Sequence, residues 1–101
     1  MREKEFAVRL AELRENKGVS ARDMSLSMGQ NPGYINNIES GKSLPSLPGL
    51  FYICEYLGIS PMEFFDTENN NPTKSKELLE AAKNLSSEQL EHLIAIAKGL
   101  K

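Results

Sequence analysis

Four glycines, Gly18, Gly29, Gly41 and Gly58, punctuate the first part of this chain, and three of them are followed two residues later by Ser20, Asn31 or Ser60. Glycine ends a helix by entering the left-handed region, and a serine or asparagine accepts the free N–H groups of the next helix start. The pattern therefore dictates a succession of short helices and leaves no room for a long coiled coil or a membrane span. Helices this short are marginal alone in water, so they must pack on one another.

Apolar spacing fills in the segments. Phe6, Leu10 and Leu13 give a first helix over 4–17. Ser20 caps a second, with Asp23 at its third position and Met24 and Met28 on its buried stripe. Asn31 is expected to cap a third helix that has Pro32 at its first position and Tyr34, Ile35 and Ile38 on its apolar side. After the turn at 43–48, a fourth helix begins near Ser46 and buries Leu50, Ile53, Cys54 and Leu57, and Ser60-Pro61 opens a one-turn fifth helix through Phe64 and Phe65. Five helices thus occupy 1–66. The asparagine-rich stretch that follows reads as a loop or hinge, giving a linker over 67–73. Beyond it, 74–101 reads as a helical hairpin with two apolar stripes: Leu78, Leu79, Ala82 and Leu85, then Leu90, Leu93, Ile94 and Ala97. Ser86 or Ser87 caps its second helix.

With 101 residues, 40% of them hydrophobic, the chain can bury one modest core but not two ordinary domains. Twelve Lys/Arg stand against fourteen Asp/Glu, so the strong basic field usual for nucleic-acid binding is absent. Any DNA contact has to come from local cations, backbone N–H groups and polar side chains. Cys54 is the single cysteine and His92 the single histidine. Neither has a neighbour that would make a metal site or an activated nucleophile, so no metal, cofactor or enzymatic activity is expected. No apolar run reaches signal-peptide or membrane-span length, and a soluble, cytoplasmic protein with no membrane partner is the expectation.

One string of residues is more specific: Leu13-Arg14, Gly18-Val19-Ser20, Met24, Met28-Gly29, Tyr34-Ile35, Ile38-Glu39-Ser40-Gly41-Lys42, Pro45, Leu57-Gly58-Ile59 and Phe64-Phe65. Over Phe6 to Phe65 it resembles the phage-repressor-like (lambda repressor/Cro-type, XRE-like) helix-turn-helix family. The expected architecture is all-α: a five-helix domain of that type followed by the C-terminal helical hairpin. The resemblance implies that the third helix enters the major groove and that its exposed start and outer face, Asn31, Pro32, Gly33, Asn36 and Asn37, meet the bases. Asn36 and Asn37 are the strong readers, because asparagine makes a bidentate pair with adenine. The resemblance also implies an ion pair, Arg14 with Glu39, tying the first helix to the end of the third. Ala21 departs from the family pattern, where glutamine often helps to clamp a phosphate.

Lys17, Arg22, Lys42 and the hydroxyls of Ser20, Ser40 and Ser43 lie at helix ends flanking the reading helix and are candidates for phosphate contacts. Tyr34 can add its hydroxyl. Doubling one short reading helix in a homodimer lengthens the recognised sequence, which suits a repressor or regulator on a short two-fold operator of double-stranded DNA. The hairpin stripes are then the dimer interface, or they dock on the domain that precedes them and leave a monomer with a larger core. The alternative is a protein-interaction module, such as an antitoxin or an adaptor with weak DNA affinity and a small protein partner, which the acidic balance, Ala21, Pro32 and Gly33 favour.

Overall fold

A computed structural model describes residues 1–100, and within them the chain forms seven helices and no strand. They are α1 (Glu3–Lys17), α2 (Ala21–Ser27), α3 (Tyr34–Glu39), α4 (Leu47–Leu57), α5 (Pro61–Phe65), α6 (Pro72–Ala82) and α7 (Ser87–Gly99). Most boundaries follow from local chemistry. Gly18, at φ 79°, closes α1 by donating its N–H to the Arg14 and Glu15 carbonyls. Ser20, Ser46, Ser60 and Ser86 each accept an N–H from the first turn of the helix they precede.

Two starts differ from the sequence expectation. Asn31 does not cap α3, and Pro32 is not its first residue: the helix begins at Tyr34, and Asn31 Oδ1 instead accepts the Gly33 N–H in a local turn. Proline and glycine in succession favour that turn over another half-turn of helix. α6 begins at Pro72 rather than Lys74, because Asn71 accepts the Lys74 N–H and proline suits the first helical position.

The core gathers Phe6, Leu10 and Leu13 of α1 with Met24, Ile35, Ile38, Ile53, Cys54, Leu57, Ile59 and Phe64. Phe6 and Phe64 meet with ring centroids 5.0 Å apart, closing α1 on α5. Arg9, one turn after Phe6, is the charged residue of this interior, with only 3% of its surface exposed. Its Nε donates to the Phe64 carbonyl at 2.6 Å, and Nη2 donates to the Glu63 and Asp66 carbonyls at 2.9 and 2.7 Å. Nη1 meets Glu12 at 2.6 Å. The guanidinium thus supplies the donor that the Phe64 carbonyl lacks and adds a second to the Glu63 and Asp66 carbonyls, at the helix end where positive charge is favoured.

The segment between the fifth and sixth helices is stapled down rather than hinged. Asn16 donates its amide to the Asn70 carbonyl, Pro72 is fully buried, Thr73 Oγ1 donates to the Leu57 carbonyl at 3.3 Å, and Lys76 stands 3.4 Å from Glu63. Past this seam the chain leaves the domain. Beyond Pro72, α6 and α7 bury no residue, and the apolar side chains Leu78, Leu79, Leu85 and Ile94 are exposed. The molecule extends 50 × 25 × 22 Å, and its 16.2 Å radius of gyration exceeds the roughly 13 Å of a compact chain this size.

Glu63 couples two of these features. Its carboxylate accepts the Ser60 N–H at 3.0 Å in a capping box and pairs with Lys76 across the seam. The Ser60 backbone N–H first, then the Ser60 hydroxyl and Lys76, hold its pKa below the ordinary 4.5 against the opposing effect of burial. A depressed folded pKa means stabilisation that is complete above the unfolded value and lost as pH falls through the folded one. Thermal unfolding followed from about pH 6 down to about pH 3 should show a falling midpoint, and Glu63→Gln should flatten part of that acid slope.

Candidate nucleic-acid interface

α2 and α3 are joined by a turn in which Gly29 takes φ 74°, a conformation that costs glycine nothing. What fixes the angle between them is Ser25. It is fully buried; its Oγ donates to the Ala21 carbonyl at 2.7 Å and accepts the Ile35 N–H at 3.0 Å. Gly33, at the N-cap of α3, has no side chain to offer, so α2 provides the missing acceptor. Ser25→Ala leaves the Ile35 N–H buried and unpaired, and the expected cost is about 1–3 kcal/mol in denaturant unfolding. Ser25→Thr keeps the hydroxyl but adds a methyl at a fully buried position.

On the opposite side α3 is open. Ile35 and Ile38 point into the core, while Asn36 and Asn37 are exposed. Among the described residues neither Asn36 nor Asn37 spends its side-chain amide on an intramolecular hydrogen bond. Asn31 and Asn37 converge over Gly33: a Cβ there would stand 3.6 Å from Asn31 Oδ1 and 3.7 Å from Asn37 Nδ2. The Asn37 carbonyl collects Ser40 Oγ at 3.2 Å and the N–H groups of Lys42 and Ser43 at 2.9 and 3.2 Å. Asn31, Gly33, Asn37, Ser40, Lys42 and Ser43 therefore form one continuous edge, with Pro32 exposed in the turn that begins it.

The flanking candidates divide. Ser20 and Arg22 are exposed at the start of α2, although the Ser20 oxygen already accepts the Asp23 N–H at 3.0 Å. Arg22 and Lys42 have no acidic partner among the described residues and are free to meet an anion. Lys17 is differently placed: its ammonium lies over the Tyr56 ring of α4, 5.1 Å from the centroid, beside the seam to α6. Tyr34 is half-buried, and burial pushes its phenol pKa up, so it stays a neutral donor.

Arg14 and Glu39 form a fork: Nε to Oε2 at 2.7 Å and Nη2 to Oε1 at 3.0 Å, with Nη1 donating to the Val19 carbonyl at 2.9 Å. The Glu39 carboxylate raises the Arg14 pKa further, outweighing burial. This bidentate pair joins α1, the loop before α2 and the end of α3, and it takes Arg14 out of any role as a phosphate ligand.

Compared with known families, residues 7–70 match that of a helix-turn-helix domain, well over half of the chain. The chain belongs to this XRE-like helix-turn-helix family. It matches no curated protein and no solved structure. The helix-turn-helix unit is a DNA-binding regulatory domain, and α2 with α3 is the segment that gives it its name. No helix among the described residues is long and apolar enough to cross a membrane.

Three features of this helix-turn-helix domain escape a reading of the sequence. Arg9 is one; its position on the stripe of Phe6 and Leu13 is the only trace it leaves. The second is the hydrogen bonding of Ser25, where the small size alone is visible. The third is Gly49, buried in the first turn of α4, where a Cβ would come 2.8 Å from Tyr34 Oη and 3.2 Å from Ser46 Oγ. Glycine there admits the Tyr34 hydroxyl and seats α3 on α4.

Proposed function

We propose that the protein is a sequence-specific, double-stranded DNA-binding transcriptional regulator in the cytoplasm, acting as a repressor in the form of a homodimer on a short palindromic operator. The observation that carries this reading is the open face of α3, with two asparagine amides free of internal partners on a helix held by Ser25 and by the Arg14–Glu39 fork. Asn36 and Asn37 read bases; Asn31, Pro32 and Gly33 lie close against the groove edge. Ser20, Arg22, Tyr34, Ser40, Lys42 and Ser43 position the domain on phosphates, with Lys17 a lesser contributor because Tyr56 occupies its ammonium.

With few free cations at this surface, non-specific affinity is modest and base contacts carry an unusual share of the binding. The chain divides at the seam into the DNA-binding unit, 1–66, and the C-terminal pair, 74–101. The stripes Leu78, Leu79, Ala82 and Leu85, and Leu90, Leu93, Ile94 and Ala97, bring two copies together, doubling the recognised sequence. A selection from randomised duplexes tests the reading: it should enrich two copies of one half-site in inverted orientation. Folded protein that enriches nothing at low salt contradicts it.

The exposed apolar faces of α6 and α7 also favour a second reading, a module that binds a small protein as an antitoxin or adaptor does. A stoichiometric heterologous partner that co-purifies and shields these faces, in place of self-association, supports that alternative.

A further inference from the structure

Seen as a length of chain, residues 67–73 would let a C-terminal dimeriser swing freely and tolerate many arrangements of half-sites. The side chains around it point the other way. Pro72 is fully buried at the first position of α6, Thr73 Oγ1 donates to the last carbonyl of α4 at Leu57, and one turn further Lys76 pairs with Glu63 of α5. These contacts reach two different helices of the DNA-binding domain, so they fix the direction of α6 as well as its point of attachment. Because α4 and α5 are locked to α1 through the core and through Arg9, the direction of α6 is fixed relative to α3 as well.

We infer that Pro72 and Thr73 are positioning residues for operator architecture: they set the distance and the rotation between the two α3 helices of a dimer, and hence the spacing of half-sites that the protein accepts. The inference rests on the homodimer reading above and adds which residues choose the spacing. A rigid arm passes its geometry on to the DNA. Half-sites displaced by part of a helical turn face a different side of the duplex, and a dimer with fixed arms can engage only one of them at a time. A loose linker would blur that discrimination, since flexible chain spans a range of distances at little cost.

The test uses the full-length chain and duplexes carrying the selected half-site in inverted pairs, with the centre-to-centre spacing varied in single base-pair steps over about one helical turn of roughly 10 base pairs. The parent should prefer one spacing by about 10-fold or more over those half a turn away. Pro72→Gly combined with Thr73→Gly should reduce that preference to about 3-fold or less, while binding to a single half-site and the circular dichroism of the fold stay as in the parent. Thr73→Ser, which keeps the hydroxyl, should retain the preference. A parent indifferent to spacing, or a double glycine variant that keeps the parent's preference, overturns the inference.

Nuclear spin relaxation of the backbone amides separates this failure from failure of the homodimer reading. If no duplex binds but α1 and α6 tumble together in the parent and apart in the double variant, the seam is rigid and the operator reading is what fails. If α1 and α6 tumble independently in the parent, the positioning role itself falls.

Discussion

Replacing Arg9 by methionine should lower the stability of the chain by about 3 kcal/mol or more, the largest single effect expected of any residue outside the hydrophobic interior. Methionine keeps most of the packing of the stem. What it loses is the set of donors to the Glu63, Phe64 and Asp66 carbonyls: the Glu63 and Asp66 carbonyls keep the N–H groups of Asp66 and Asn69 at 3.3 and 3.2 Å, whereas the Phe64 carbonyl is left unpaired. The buried Phe64 carbonyl left unpaired costs about 1–3 kcal/mol, the loss of two further bonds from a charged donor adds to it, and α5 is too short to survive on its own propensity. Arg9→Lys should be nearly as damaging, because one ammonium cannot reproduce the planar fork from which Nε reaches one carbonyl and Nη2 the other two. In a domain of this size the loss corresponds to a fall in the thermal midpoint of roughly 12–24 °C. A change within about 0.5 kcal/mol, as at an ordinary surface position, would show that the fork at the end of α5 is not holding the fold.

The second large effect concerns assembly. Leu90→Asp together with Ile94→Asp should turn a dimeric protein into a monomer of 11.3 kDa by light scattering at micromolar concentration. Leu90 and Ile94 are one turn apart on one face of α7, and carboxylates there would have to be buried unpaired in any interface that uses the stripe. α7 buries no residue in the single chain, so the unfolding midpoint of the DNA-binding domain should stay where it is in the parent. That separation makes the result decisive. A parent already monomeric over the same range, or a variant that remains dimeric, removes α7 from the interface.

Local signals were the legible part of this fold. Ser20, Ser46, Ser60 and Ser86 announce helix starts because the acceptor and the N–H it satisfies are three residues apart, and Gly18 and Gly58 announce ends for the same kind of reason. Asn31 failed as a cap because the acceptor for the start of α3 arrives from Ser25, on the previous helix, and only the finished turn brings the two together. The signal at Asn71-Pro72 equals that at Ser60-Pro61, yet three successive asparagines masked it as loop. Arg9 is invisible for a deeper reason: its partners lie more than fifty residues away, and nothing in the stripe of α1 says that a charge will be met by carbonyls. At the candidate interface, Asn36 and Asn37 were legible as the polar pair enclosed by Ile35 and Ile38, since helical periodicity sends them to the opposite side. The engagement of Lys17 with Tyr56 was not, because it depends on how α4 crosses α1.

The central claim, that α3 reads DNA through its two asparagines, is tested most directly by titrating the selected duplex and a scrambled one with the parent, Asn36→Ala, Asn37→Ala and Lys42→Ala, at several salt concentrations, with fluorescence anisotropy as the readout. Each asparagine variant should keep its fold and its affinity for the scrambled duplex but lose about 1–3 kcal/mol of discrimination, whereas the Lys42 variant should weaken on both duplexes and show a shallower salt dependence. Asparagine variants that discriminate as well as the parent would contradict the claim.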